Sequence, residues 1–177
     1  MWTFKRNPPP ITELQNLEYY ASQGVVESQF KLGMLYDEGK RVPKNQTKAI
    51  ALFQAAAEQG AAWASHILST IFMGRGDLQT GFRWLQTAAE QGLANAQGQL
   101  GIFYSMDKIV PQDDIKAAAW MTVAFANDAP GGDEYLQKLL SRLSPSQKAE
   151  VQKLVAELMA RLPRIPFREH AERVGLM

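Results

Sequence analysis

The side chains able to do chemistry in this 177-residue chain are few and scattered. It has no cysteine, which excludes disulfides and thiolate metal sites. Its two histidines, His66 and His170, stand 104 positions apart, poor material for a shared metal. A base at His66 needs an acid to orient it and a nucleophile in reach. No nearby spacing implies either, so His66 reads as a surface or partner-contacting residue. Asp113-Asp114 could be a catalytic carboxylate pair, but an N-cap followed by a first-turn acid explains it better. Arg161, Arg164, Arg168 and Arg173 make a basic tail that Glu169 and Glu172 dilute, which suits a solvated terminus more than a nucleic-acid clamp. There is no glycine-rich phosphate loop, no Gly-x-Ser-x-Gly and no His-Glu-x-x-His. The expectation is no catalytic residue, no metal and no cofactor.

The elements that would carry any site follow from composition and spacing. Hydrophobic residues make up 46% and charged residues 21%, enough for one buried domain over residues 1–177. Nineteen Lys and Arg against eighteen Asp and Glu leave a net charge of +1, too weak a field for bulk nucleic-acid binding. No run approaches the roughly 18 apolar residues of a membrane span. The first ten residues carry Lys5 and Arg6 without an apolar stretch behind them, so no signal peptide is expected and a cytoplasmic address follows by default.

The chain repeats itself. Ala-Ala-Glu-Gln-Gly ends at Gly60 and at Gly92, and Tyr-Ala-Ser-Gln-Gly ends at Gly24. The next step falls on Asp128. In that register Leu32, Leu68 and Leu100 align, followed by the small Gly33, Ser69 and Gly101, then by the aromatic Tyr36, Phe72 and Tyr104. Asn45, Asp77 and Asp113 align as helix N-caps. Leu52, Trp84 and Trp120 align eight residues before each close. Each unit predicts two helices, with small residues for close approach and aromatics as core. The closing glycines suit a positive φ. The expected repeats are 25–60, 61–92 and 93–128. The second has an inter-helix loop four residues shorter, a trimmed loop and not a lost helix.

The flanks predict caps. Residues 11–24 hold one N-terminal helix, which Pro8-Pro9-Pro10 keeps from extending upstream. Residues 132–161 hold two capping helices, the second opened by a Ser144-Pro145-Ser146-Gln147 capping box. Residues 162–177 form a tail.

These residues resemble the Sel-one-like repeat, a relative of the tetratricopeptide repeat. Leu32-Gly33, Tyr36, Gly39, Val42, Asn45, Lys48-Ala49, Phe53, Ala56-Ala57 and Gly60 match its pattern. The third unit matches with Leu100-Gly101, Tyr104, Val110, Asp113, Lys116-Ala117, Trp120 and Ala124. The second departs, with Ser69 for Gly and Thr80-Gly81 for Lys-Ala. The resemblance implies an all-α, right-handed α-solenoid and a non-enzymatic role as adaptor, scaffold or regulator of a bacterial protein partner. Alternatives are an immunity-type inhibitor of a toxin, or a hydrolase of the family's Cys-rich branch, which this cysteine-free chain disfavours.

The resemblance places first helices on a concave surface. The face opposite the leucines then points into a groove: Glu27, Phe30, Met34 and Asp37; Trp63, His66, Thr70 and Met73; Asn95, Gly98, Ile102 and Ser105. These are the expected partner contacts, with Phe30, Met34, Trp63 and Ile102 as anchors and Glu27 and Asp37 setting orientation. No nucleic acid and no membrane insertion is expected.

Overall fold

The structure, a computed structural model, describes residues 12–129 and 131–164. The expected stop at Pro8-Pro9-Pro10, His170, Arg168, Arg173 and the rest of the tail beyond Arg164 lie outside the described residues. Among those described there are nine α-helices. They are α1 (Glu13–Ser22), α2 (Val26–Glu38), α3 (Gln46–Glu58), α4 (Ala62–Gly74), α5 (Leu78–Glu90), α6 (Ala94–Tyr104), α7 (Asp114–Ala126), α8 (Asp133–Arg142) and α9 (Pro145–Arg161). None of the described residues lies in a strand, and an isolated bridge joins Asp107 and Val110. The fold is all-α, built from repeated helix pairs of the α-solenoid class.

The helix boundaries follow the repeat. Asn45, Asp77 and Asp113 each cap a second helix, accepting a bond from the backbone N–H of Lys48, Thr80 and Lys116 at 3.0, 3.1 and 2.9 Å. Their own amides donate to the carbonyls of Tyr36, Phe72 and Tyr104, at 2.8, 3.0 and 2.8 Å. Loops of different length therefore deliver the chain to one shared bond. α4 and α5 are both 13 residues long, so the second unit's shortening falls wholly in its loop. Gly24, Gly60, Gly92 and Asp128 close the pairs at φ of 82°, 90°, 93° and 61°. Val25, Leu93 and Ala129 then donate back to Tyr20, Ala88 and Ala124, a Schellman end. The Ser144 capping box forms with Pro145 at the first turn, and Thr12 makes another on α1.

Small residues set the crossing within each pair. A Cβ on Gly33 would lie 2.7 Å from the Phe53 ring, and one on Gly101 would lie 2.6 Å from Met121 Cγ and 2.9 Å from the Ala117 carbonyl. In the second unit the glycine moves across the crossing. Ser69 stands on the first helix, and Gly81 on the second would meet Met73 and the Ser69 carbonyl. One glycine per crossing is retained by exchange.

The contacts divide the chain into a unit ending at Gln59 and a unit beginning at Gly60. The first holds α1–α3 around Leu32, Ala49, Phe53, Ala56 and Ala57. The second holds α4–α9 around Leu85, Leu93, Leu100, Trp120 and Val123, with Leu136, Leu139, Val151 and Leu158 from the last two helices. Leu136 stands eight residues past Asp128, where Leu32, Leu68 and Leu100 stand after their own closes. α8 thus follows α7 as a first helix follows a second, while α9 packs chiefly on α7 and not, as the second helix of a pair would, on α8. The two last helices both pack against α7.

Core placement differs from expectation in two rows. Tyr36, Phe72 and Tyr104 are half-buried, because the rings lie at the helix ends beside the loops. Lys48 and Lys116 ammonium groups sit over the Tyr36 and Tyr104 rings at 5.0 and 5.4 Å. Leu52 and Trp84 are also half-buried, and only Trp120 of that row is buried.

Candidate functional site

Each predicted contact has a definite place. In the first unit Glu27 is exposed and pairs with Lys31 at 2.8 Å. Met34 and Asp37 are half-buried. Phe30 is buried, its ring 5.8 Å from that of Phe53. In the second unit Trp63 is buried and Met73 packs against the core at the Gly81 crossing. Phe30 and Trp63 were expected to stand open; they are buried and pack inside the fold, and Met73 is half-buried against the core.

His66 is half-buried, with Nε2 3.2 Å from Gln99 Oε1, and Thr70 donates to the His66 carbonyl at 3.1 Å. Burial lowers the His66 pKa, opposed in part by the Gln99 bond. The imidazole is therefore neutral near pH 7. Asp113 behaves differently: burial pushes its carboxyl up, but bonds from the Lys116 backbone and ammonium hold it below the usual range.

The third row of the predicted face opens onto a cavity of about 430 Å³. Asn95, Gly98, Gln99 and Ile102 of α6 form one wall, Met121, Ala124 and Phe125 of α7 the floor, and Tyr135 and Leu136 of α8 the other wall. Met106, Ala129, Gly131 and Gly132 complete it. The floor is open because Gly98 and Ala124 are small; a Cβ on Gly98 would lie 3.7 Å from that of Ala124. The second wall depends on Gly131 and Gly132, whose φ of 76° and 92° turn the chain into α8. Tyr135 then donates its hydroxyl to Ser105 at 2.9 Å, fixing α8 beside α6.

This cup has an unusual lining. No lining residue carries a formal charge, and its single titratable group is the Tyr135 phenol. Ile102, Met106, Phe125 and Tyr135 are 43%, 39%, 55% and 46% exposed. Large apolar side chains left open around a concave, neutral cavity suit the capture of another apolar surface.

Of the residues the sequence singled out, Asn95, Gly98 and Ile102 line this cup and Ser105 bonds Tyr135 at its edge, while Gln99, Met106, Phe125 and Tyr135 were not singled out. The signal for the α8 wall was present, since Leu136 extends the leucine register by one more unit. Also missed was a buried amide ladder. Gln97 donates to the Ala89 carbonyl at 3.2 Å and accepts from Asn127 at 3.0 Å; Asn127 accepts from Arg164 at 2.9 Å. Gln29 and Gln59 make the matching bond in the first unit at 2.9 Å, and Ser65 donates to Gln91 at 2.8 Å in the second. Gln97 ties α6 to α5 of the preceding pair, while the Gln97–Asn127, Gln29–Gln59 and Ser65–Gln91 bonds join a first helix to the end of its own second helix.

Among the described residues no group of His, Asp and Glu is placed to hold a metal, and no helix is long and apolar enough to cross a membrane. The family model for the Sel1 repeat matches residues 26–60, 71–93 and 94–128, more than half of the chain. The alginate biosynthesis protein AlgK of Azotobacter vinelandii is 30% identical over 134 residues, 73% of this chain and 29% of that protein. AlgK of Pseudomonas syringae pv. tomato is 27% identical over 155 residues, 84% of this chain and 33% of its own length. The chain thus spans about a third of these curated relatives. The crystal structure of a Sel1 repeat protein from Oxalobacter formigenes superposes with a TM-score of 0.62 at 32% identity, covering 74% of this chain and 98% of that one.

Proposed function

The chain belongs to the Sel1 repeat family, and from that premise we propose that it is a non-enzymatic interaction module whose protein partner docks in the cup between α6 and α8. The observation that carries this is the lining: four large apolar side chains stand open around a cavity without a formal charge. A site built this way offers contact area and offers no acid, base or nucleophile beyond a phenol already bonded to Ser105. Asn95 and Gln99 supply polar contacts at the α6 wall. The likeness to AlgK makes bacterial polysaccharide biosynthesis the setting in which to seek the partner.

Affinity capture from the native cell tests this. The double variant Ile102→Ser/Phe125→Ser alters two exposed lining residues, and Arg83→Glu alters an exposed position on α5 outside the cup. With melting confirming that both fold, the partner should be retained by Arg83→Glu and lost from the double variant. Retention by the double variant and loss from Arg83→Glu would place the site on the outer face of α5.

A further inference from the structure

Resting on the cup as the docking site, we infer that its occupant is a basic segment of the partner: a bulky apolar side chain seated in the cavity, with Lys or Arg beside it over the α8 wall. The turn from α7 into α8 beside the cup is acidic, although Lys108 follows the lining Met106 by two residues, Lys138 stands one turn past Glu134 on α8, and Arg164 bonds the end of α7. The α6 wall, Ala94–Tyr104, contains no charged residue, and neither does the stretch of α7 from 117 to 126. Between residues 126 and 137 stand Asp128, Asp133 and Glu134, with no Lys or Arg among them. All three are exposed, and they alternate with the lining residues Ala129, Gly131, Gly132 and Tyr135. Among the described residues, none of the ion pairs involves any of them.

Folding accounts for part of this pattern only. Asp133 and Glu134 lie in the first turn of α8, where carboxylates favour the helix dipole. Asp128 has no such reason. It follows the C-terminal end of α7, where a negative charge is unfavourable, and it holds a φ of 61° at a position where three earlier closes use glycine. Arg164 attends that helix end through the Ala126 carbonyl and Asn127, each at 2.9 Å. An aspartate placed against the dipole, in a left-handed backbone that Asp tolerates better than most residues, and beside a neutral cavity, fits a cation brought by the ligand. An apolar anchor fills the cavity without desolvating a charge, while a cation at the rim gains attraction in a setting that stays solvated.

Three labelled helical peptides serve as probes. The first carries one Phe anchor flanked by lysines, the second has Glu for each Lys, and the third has Ser for the Phe. Fluorescence anisotropy should show the Lys probe binding about tenfold or more tighter than its Glu twin, with the gap shrinking in high salt. The Ser probe should bind more weakly than the Lys probe. The triple variant Asp128→Asn/Asp133→Asn/Glu134→Gln should lose most of the gap. Equal binding of the Lys and Glu probes, or a gap untouched by the triple variant, overturns the charge inference. So does no binding of the Lys probe up to about 1 mM, where interaction is already weak. The variant Ile102→Ser/Phe125→Ser separates this from the cup assignment. If it leaves Lys-probe affinity unchanged, the cup itself is wrong; if it weakens both charged probes equally while the triple variant does nothing, the cup stands and the basic partner falls.

Discussion

Two glycines one turn apart on α6 answer differently to the same added methyl. At Gly101 it meets Met121 and the Ala117 carbonyl, and backbone has no rotamer with which to yield. At Gly98 it makes an ordinary contact with Ala124. Gly101→Ala should therefore lower stability by about 1–3 kcal/mol. Gly98→Ala should raise it by about 0.4–1 kcal/mol, since glycine's freedom in the unfolded chain is reduced. Urea midpoints of the two variants should move in opposite directions, and a shared direction would contradict the helix crossing. The caps make a second residue-scale case. Asp113→Ala removes the bond to the Lys116 amide and should cost about 1 kcal/mol in the same assay. Both features were legible in the sequence because spacing alone put a small residue and a short polar residue where helices cross and begin. The burial of Phe30 and Trp63 was not, because periodicity assigns a face and says nothing of how closely neighbouring elements cover it.

At the scale of elements, the apolar packing of α5 on α6 is joined by a buried polar link. Gln97 has no exposed surface and spans from α5 to the end of α7 through Ala89 and Asn127. Gln97→Ala leaves the Ala89 carbonyl and the Asn127 amide without that partner, at a cost of about 1–3 kcal/mol. Thermal melting should show the loss, while Gln86→Ala, on α5, should barely move the curve. His66 links α4 to α6 through Gln99 and brings a pH dependence. Its folded pKa is below the ordinary value of 6.5, so the unfolded chain takes up the proton first as pH falls. Stability should decline below about pH 6.5 until folded His66 itself protonates, and should not decline from this source at higher pH. Urea midpoints measured from about pH 7.5 down to 5.5 check this, since His66→Gln should flatten the fall. The ladder was hidden in the sequence because glutamines near helix ends look like ordinary surface residues until a partner 30 positions away is known.

For the whole molecule, the repeat was the most legible feature. Gly24, Gly60 and Gly92 announced the closes, and Asp128 took the same left-handed backbone at the fourth. The cup was only half legible. Its α6 wall falls out of the register, but its α8 wall depends on how Gly131 and Gly132 turn the chain, which sequence spacing leaves open. Only the folded chain brings Tyr135 to Ser105.

The central claim is that a partner's apolar surface lies in that cup. Site-specific photocrosslinking in the native cell tests it most directly, with a benzophenone amino acid placed at Ile102, at Phe125 or at the control position Arg83. The account predicts a discrete higher-mass adduct from positions 102 and 125 and none from 83. An adduct from 83 alone would contradict it and move the partner to the outer face of α5.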